Sequence, residues 1–334
     1  MTYALAVVIA VLAALSAAGG TALLARVLAR RQILDHPNER SSHVRATPRG
    51  AGLAVVPVLL IAWAVIAVLS PAARPAIAWV VAGALLLAAV SWRDDLTSLP
   101  ALPRLAAQAV AVLAGSMTFG GDVLVFQGLL PFWADRLAAA LAWLWFVNLF
   151  NFMDGIDGIA GTETAAIGLG FALLVLLIGG DATLLALALA LAGVALGFLP
   201  WNWQPARIFL GDVGSVPLGY ALGWLLLSLA AAGQWAPALI LPLYYLADAT
   251  LTLLRRLMRG ERVWQAHREH FYQRATQGGR SHGAVAGLVA GTDAVLIALA
   301  LGATRWPWLA LPAAVVVVGL LLAILARPRS LPAH

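Results

Sequence analysis

The chain has 334 residues, 62% hydrophobic and 11% charged, against about 25% charged in a typical soluble domain; hydrophobic cores stop growing near about 250–300 residues, so most of this apolar surface must face lipid. It has no cysteine, which excludes disulfides and thiolate metal sites. All 21 basic residues are arginine, and the net charge of +6 follows membrane topology rather than a nucleic-acid surface, so no nucleic-acid partner is expected.

Apolar runs long enough to cross about 30 Å of hydrocarbon fall at about 3–25, 50–69, 75–92, 104–119, 136–151, 162–179, 182–200, 215–233, 235–254, 284–302 and 307–326. The predicted fold is all-α, a polytopic integral membrane protein of about 11 transmembrane helices in a single domain over 1–334. The first run lacks a clear cleavage site and reads as a retained helix. Very short connections at 179–181 and 232–234 join antiparallel neighbours. Segments 26–49, 92–104, 201–214, 255–283 and 327–334 hold 18 of the 21 arginines, and the opposite side keeps only Arg74, Arg136 and Arg305. The positive-inside rule makes the arginine-rich side, with the loop at 151–161, cytoplasmic. The N-terminus is then outside and the C-terminus cytoplasmic. On the outer side Asp122, Asp135 and Asp181 read as ordinary solvated residues.

The unusual polar residues share the cytoplasmic ends of the spans. In "TPRGAG" (47–52) a proline and two glycines bring Arg49 to the mouth of the second span. Asp94 and Asp95, adjacent at a helix end, point about 100° apart and so take different partners, unless both are simply solvated. Arg104 and Gln108, one turn apart, share a face toward that interface. Asn148, Asn151, Asp154 and Asp157 recur every three residues. On one helix that spacing lines a groove, and Gly155, Gly158 and Gly161 leave room for a ligand or a close helix. Asp212, between two glycines just before a span, is either an N-cap or part of a phosphate-binding helix N-terminus. Asp248 lies inside a span, about two turns before Arg255 and Arg256, and is a functional candidate or an arginine partner; Asp293, mid-span, has no neighbouring motif. His267 and His270, three apart, share a helix face with Arg268 and Arg274 nearby. Phosphate contact suits them better than zinc, which lacks a third soft ligand. Five loops on one face can meet in one site, and its oxygen ligands and arginines suit Mg²⁺ with a phosphorylated substrate.

These residues resemble the polyprenyl-phosphate N-acetylhexosamine-1-phosphate transferases, which start O-antigen, enterobacterial common antigen, teichoic acid and peptidoglycan lipid intermediates. The matching pieces, in the family's order, are "RSSHVRATPRGAG", "DDLTSLPALPRLAAQ", "NFMDGIDGIAG", "FLGDVGSVPLGY" and "HREHFYQR", which span residues 40–274. The resemblance implies transfer of a sugar-1-phosphate from a UDP-sugar to undecaprenyl phosphate in the bacterial inner membrane. UMP is released and Mg²⁺, or Mn²⁺, serves as cofactor. Asp94 and Asp95 match the aspartate pair; Asn151, Asp154 and Asp157 the Asn/Asp signature; Asp212 the metal-binding aspartate; His267 and His270 the histidine motif. Where the family often has lysine this chain has Arg104. The histidine motif has the O-antigen-type form, so MurNAc-pentapeptide is the less expected donor. The family often forms homodimers.

As a mechanism, Asp212 with Asn151 or Asp154 would hold the metal. Arg49, Arg104, Arg268, Arg274 and the neighbouring arginines would hold phosphates, with Asn148 beside them. Asp94 or Asp95 would take the acceptor's remaining proton or steer the metal. Direct in-line attack is expected rather than an aspartyl intermediate. The rival class, a secondary transporter, would show inverted repeats and helices broken at mid-membrane, whereas here the polar motifs collect at one face.

Overall fold

A computed structural model describes residues 1–37, 45–121, 123–262, 265 and 267–327. Residues 40–44 of the first motif, Asp122 and the tail from 328 lie outside the described residues.

In chain order the helices are α1 (Tyr3–Arg30), α2 (Gly52–Leu69), α3 (Arg74–Thr97), α4 (Ala101–Ser116), α5 (Phe132–Phe152), α6 (Ile159–Leu177) and α7 (Ala182–Asn202). They continue as α8 (Asp212–Ala231), α9 (Trp235–Ile240), α10 (Leu243–Met258), α11 (Phe271–Gln277), α12 (His282–Ala303) and α13 (Pro307–Ala326). Eight of these, α1, α2, α3, α6, α7, α8, α12 and α13, are long and apolar enough to cross a membrane. The chain is thus an all-helical polytopic membrane protein. Rows of exposed leucine and valine, such as Leu15, Val68, Leu113 and Leu320, are what a helix presents when its solvent is hydrocarbon.

One expected span is broken. The run at 235–254 divides into α9 and α10, because Pro242 has no amide hydrogen to donate and its ring crowds the preceding turn. On the outer side, Asp135 is fully buried rather than solvated. It accepts hydrogen bonds from the backbone N–H groups of Val125 and Phe126 at 3.0 and 2.8 Å, so the loop between α4 and α5 is tied to the start of α5. Asp181 caps α7 through the Thr183 N–H at 2.9 Å.

α8 is the hub. It packs against α2, α3 and α5 and is buried along nearly its whole length. Its first turn touches that of α2 backbone to backbone: a Cβ on Gly52 would stand 2.2 Å from the Gly214 nitrogen, so only glycine fits. Just upstream, β1 (Leu34–Asp35) pairs antiparallel with β2 (Thr47–Pro48). The chain then runs beside the segment before α8. Phe209 N–H donates to the Pro48 carbonyl at 2.8 Å, and the Gly50 and Ala51 N–H groups donate to the Phe209 carbonyl at 3.0 and 2.9 Å. This short ladder carries Arg49 to Asp212.

Candidate active site

Two elements far apart in sequence meet at the start of α8. The last turn of α3 supplies Asp94 and Asp95, and the residues separate as adjacent helix positions must. The Asp95 carboxylate accepts from the N–H groups of Asp212 and Val213 at 3.2 and 3.0 Å. It therefore caps α8 from another helix, while the N-cap position itself, Gly211, makes no side-chain cap. Asp212 is the first residue of α8 and not its cap, which leaves its carboxylate for other partners. The Arg49 Nη2 stands 2.8 Å from both the Asp95 and the Asp212 carboxylates. Asp94 accepts from the Leu99 N–H at 2.7 Å and pairs with Arg104 Nη1 at 2.9 Å, with Asp212 3.9 Å beyond. Together these residues line a cavity of 210 Å³.

Asp94, Arg104 and Asp212 also line an adjoining cleft of 400 Å³ between α3, α4, α5 and α8. Its floor carries Gln108, Asn148 and Asn151, and its walls Leu87, Leu105, Phe152 and Val216. Gln108 accepts from the Asn148 amide at 2.7 Å. Asn151 donates to the Ser215 hydroxyl at 2.8 Å, so its carbonyl oxygen remains for a ligand. The facing of Arg104 and Gln108 follows the helical spacing. Ser215 was not singled out, although it lies one turn after Gly211, whose carbonyl its hydroxyl bonds.

The three-residue periodicity does not continue through the signature. α5 stops at Phe152 and α6 starts at Ile159 after Gly158 at φ +83°, a left-handed conformation that favours glycine. Asp154 and Asp157 therefore sit in a loop and diverge. Asp154 faces the acid cluster: burial first, then the Asp212 charge, pushes its carboxyl up to about 7, and it has no hydrogen-bond donor among the described residues. Asp157 turns the other way. It accepts from the Ala206 N–H at 3.0 Å and pairs with His282 at 3.1 Å. It borders a larger cavity of 820 Å³ lined by Phe209, Gln204, Arg45, Arg207, Arg268 and Arg280. His282, Gln204 and Arg207 were not anticipated, because the start of α12 and the connection from α7 to α8 are brought together only by the fold.

The histidines are not on a helix. His267 lies outside any helix or strand and His270 is the N-cap of α11; their rings are 4.8 Å apart. His270 Nδ1 is 3.2 Å from Asp248, and Asp248 accepts from the Phe271 and Tyr272 N–H groups at 2.9 and 3.2 Å. Asp248 pairs with this helix start and not with Arg255 or Arg256. Burial, then His270 and Arg256, holds the His267 imidazole down to about 4. Tyr272 O–H donates to the Phe152 carbonyl at 2.9 Å, which ties the histidine segment to the end of α5. Arg274 is exposed on α11 and lines none of these cavities. Arg256 and Arg259 are engaged by Glu261 and Glu269.

The acid cluster is short of positive charge. Asp94, Asp95, Asp154 and Asp212 against Arg49 and Arg104 leave two negative charges when all are ionised. No three acidic or histidine side chains among the described residues converge as a ready metal cage. Mg²⁺ does not require one, since it takes one or two protein carboxylates and completes its shell with phosphate and water. The oxygen-only donors and the charge deficit fit a divalent cation brought with a phosphorylated ligand.

Several known proteins are similar to this chain. The profile described as Glycosyl transferase family 4 matches residues 77–230. The chain is 28% identical over 275 residues to a probable undecaprenyl-phosphate N-acetylglucosaminyl 1-phosphate transferase of Bacillus subtilis, covering 78% of this chain and 75% of that one. It is 32% identical over 302 residues to a decaprenyl-phosphate N-acetylglucosaminephosphotransferase of Mycolicibacterium smegmatis, covering 77% and 72%. A phospho-N-acetylmuramoyl-pentapeptide-transferase of Moorella thermoacetica is 44% identical, but over 93 residues, 28% of this chain.

Proposed function

Because the chain belongs to the polyprenyl-phosphate sugar-1-phosphate transferases of glycosyl transferase family 4, we propose that it transfers an N-acetylhexosamine-1-phosphate from a UDP-sugar to undecaprenyl phosphate, releasing UMP. Transfer of a sugar-1-phosphate to a polyprenyl phosphate is the family reaction and is this chain's. The donor, the acceptor chain length and the metal are our reading. So are eleven crossings, with α4, α5 and the α9–α10 pair added to the eight long helices, and a site facing the cytoplasm of a bacterial inner membrane. The N-acetylglucosamine relatives match over about three quarters of the chain, and the MurNAc-pentapeptide relatives over a quarter to just under a half, which favours the former donor class.

One observation carries the proposal. The polar end of the bundle holds two cavities of different chemistry: a cleft that shares Asp94, Arg104 and Asp212 with the acid cluster, and a larger cavity bordered by Asp157 and by Thr47 and Pro48, the strand that leads to Arg49. The 400 Å³ cleft has apolar walls and a polar floor, as an acceptor phosphate on a lipid tail needs. The 820 Å³ cavity has four arginines and the Phe209 ring, as a nucleoside diphosphate needs: guanidinium forks for phosphate oxygens and an aromatic face for a base.

An oxygen of the acceptor phosphate attacks the phosphorus that bears the sugar, and the bond from that phosphorus to UMP breaks. The lipid phosphate is already largely ionised at neutral pH, so the chain need not remove a proton. Its task is to bring two anions together. Arg104 and Arg49 draw the phosphates in; Asp95 holds the start of α8 so that Asp212 stays in place; Asn151, fixed by Ser215, presents its carbonyl oxygen. Asp212 with Asn151 or Asp154 would hold Mg²⁺, which when bound offsets charge on the diphosphate and the departing UMP.

The test is purified full-length protein with labelled UDP-N-acetylglucosamine, undecaprenyl phosphate and Mg²⁺. Labelled lipid with stoichiometric UMP is the expected result. Uptake of a labelled anionic solute into proteoliposomes, with no lipid product from any UDP-N-acetylhexosamine, would replace this reading with a transporter.

A further inference from the structure

α6 and α12 pack side by side, and each contributes a carboxyl group to the contact. Glu163 of α6 is fully buried and Asp293 of α12 is 2% exposed. The two side chains lie within hydrogen-bond reach of each other. Yet none of their four oxygens has a donor among the described residues. A third group shares the space: the Tyr245 hydroxyl of α10 is fully buried, also without a partner, and lies in the field of both carboxyl groups. The other titratable groups in this neighbourhood are Asp154 of the loop before α6, whose charge also reaches Tyr245, Tyr244 of α10, whose hydroxyl is given to Asp248, and Tyr272 of α11, whose hydroxyl is given to Phe152. No arginine or histidine among the described residues is paired with Glu163 or Asp293.

Two ionised carboxylates cannot rest in this position. Buried in low dielectric, like charges at contact repel by several kcal/mol at least, and each buried acceptor left without a donor adds its own cost. Ionisable groups inside a span ordinarily find a partner. A metal ion would need more ligands than a carboxyl pair and one phenol provide, and no group of three candidate acidic or histidine ligands exists among the described residues. A proton needs no cavity and no further ligand.

The geometry points to a proton-binding site: Glu163 and Asp293 hold one proton between them, closing an O–H···O hydrogen bond that fastens α6 to α12. The pair then carries one negative charge instead of two, and each carboxyl group gains a hydrogen-bond partner. Such a charge-assisted bond between oxygens is short and strong. The proton belongs to the pair and comes off as one step. The joint matters to the site because α6 begins directly after the Asp154 loop, and α12 begins at His282, the partner of Asp157. Loss of the proton at alkaline pH puts two facing charges into the contact that holds those two ends in register.

The test needs no activity. Full-length protein in lipid nanodiscs is compared with the near-isosteric double variant Glu163→Gln/Asp293→Asn, whose amides keep a donor and an acceptor in the contact. At neutral pH the infrared spectrum of the wild type should show a protonated-carboxyl C=O band that the double variant lacks, with the band from Asp154 common to both. The unfolding midpoint of the wild type should fall by several degrees as pH rises from 6 to 10, because the folded pair holds a proton that the unfolded carboxyls have already released. The double variant should lose the pair's share of that fall and keep only the part that Asp154 supplies as pH passes through about 7. If the double variant does not fold, the single Glu163→Gln is measured, with the same reduction of the pH slope expected. Identical carboxyl bands or identical pH slopes in folded wild type and variant would overturn the proposal. So would a missing wild-type band together with a midpoint raised by Na⁺, K⁺ or Ca²⁺ in the wild type alone.

Discussion

Two aspartates in this protein do the same local job in opposite surroundings. Asp95 of α3 caps α8 by accepting two backbone N–H groups, and Asp248 of α10 caps α11 in the same way. Each satisfies donors that a helix start leaves without an intrahelical partner. Around Asp95 the remaining space is open and cationic, with Arg49 against it and a cavity beside it. Around Asp248 every approach is filled by donors of the protein itself: Tyr244 O–H, Thr252 O–H and the His270 ring join the two N–H groups. The capped helices differ in turn. α8 delivers Asp212 into a cavity, whereas α11 delivers a packed aromatic face, Phe271 and Tyr272, into the bundle. A cap made from a distance is therefore neutral as to function, and what the capped helix presents decides whether the junction is a site or a scaffold.

The largest expected effect separates the two junctions. Asp212→Asn should lower turnover about 10³-fold, the scale on which a preorganised electrostatic contact is worth removing, while the protein inserts and folds as before. UMP release and circular dichroism measure the two halves of that statement. Retained turnover would remove Asp212 from the chemistry and make the α8 start a scaffold like the other. Next comes Asp248→Ala, which leaves a buried helix start and the Tyr244 hydroxyl without their acceptor. It should destabilise by about 3 kcal/mol, since lost bonds to a charged acceptor and stranded donors each cost about 1–3 kcal/mol. Asp95→Ala should cost nearer about 1 kcal/mol of stability, because water reaches that helix start. Denaturation midpoints of the pair rank them, and equal losses would erase the contrast.

The pH dependence sharpens the same contrast on a smaller scale. The Asp154 carboxyl is raised in the folded protein to about 7. Its protonated form is thus favoured by folding. The contribution is fully present below the ordinary carboxylate range and is lost as pH rises through about 7. In metal-free buffer the wild-type midpoint should fall relative to Asp154→Asn between about pH 5 and 8, and Mg²⁺ with a UDP-sugar should reverse the difference. A wild type and variant that run parallel across that window would show that Asp154 is not held against the Asp212 charge.

Much of this contrast could be read before any coordinates, and what could not has physical causes. Lipid-facing spans are long and one-note, so ten of the eleven expected runs correspond to single helices; only Pro242 divided one. The acid cluster was legible because Asp94, Asp95, Arg104 and Asp212 sit at helix ends, where polar residues in an apolar chain stand out. Asp154 and Asp157 were read on one helix because a three-residue step looks helical until a glycine at positive φ interrupts it. The Asp135 and Asp248 caps were illegible, because a carboxylate that caps a distant segment carries no mark in its own sequence neighbourhood. The basic cavity was hidden for the same reason: Arg45, Arg207 and Arg280 come from three segments and meet only in the fold.

The smallest expected effect bears on the open junction alone. Arg104 uses one nitrogen, Nη1, for both of its acidic contacts, Asp94 at 2.9 Å and Asp212 at 3.9 Å. Its Nε–H is buried with no partner. The planar fork that distinguishes arginine from lysine is therefore unused in this arrangement, and a single ammonium could stand where Nη1 does. Arg104→Lys removes a stranded donor, which favours the variant, and shortens the reach, which opposes it. The two should nearly cancel, with kcat/KM within about threefold of the wild type. A fall of a hundredfold would mean that Arg104 grips the substrate phosphate with both arms of its fork, a contact made only when the site is occupied. The α8 junction would then be more specialised than its resting geometry shows.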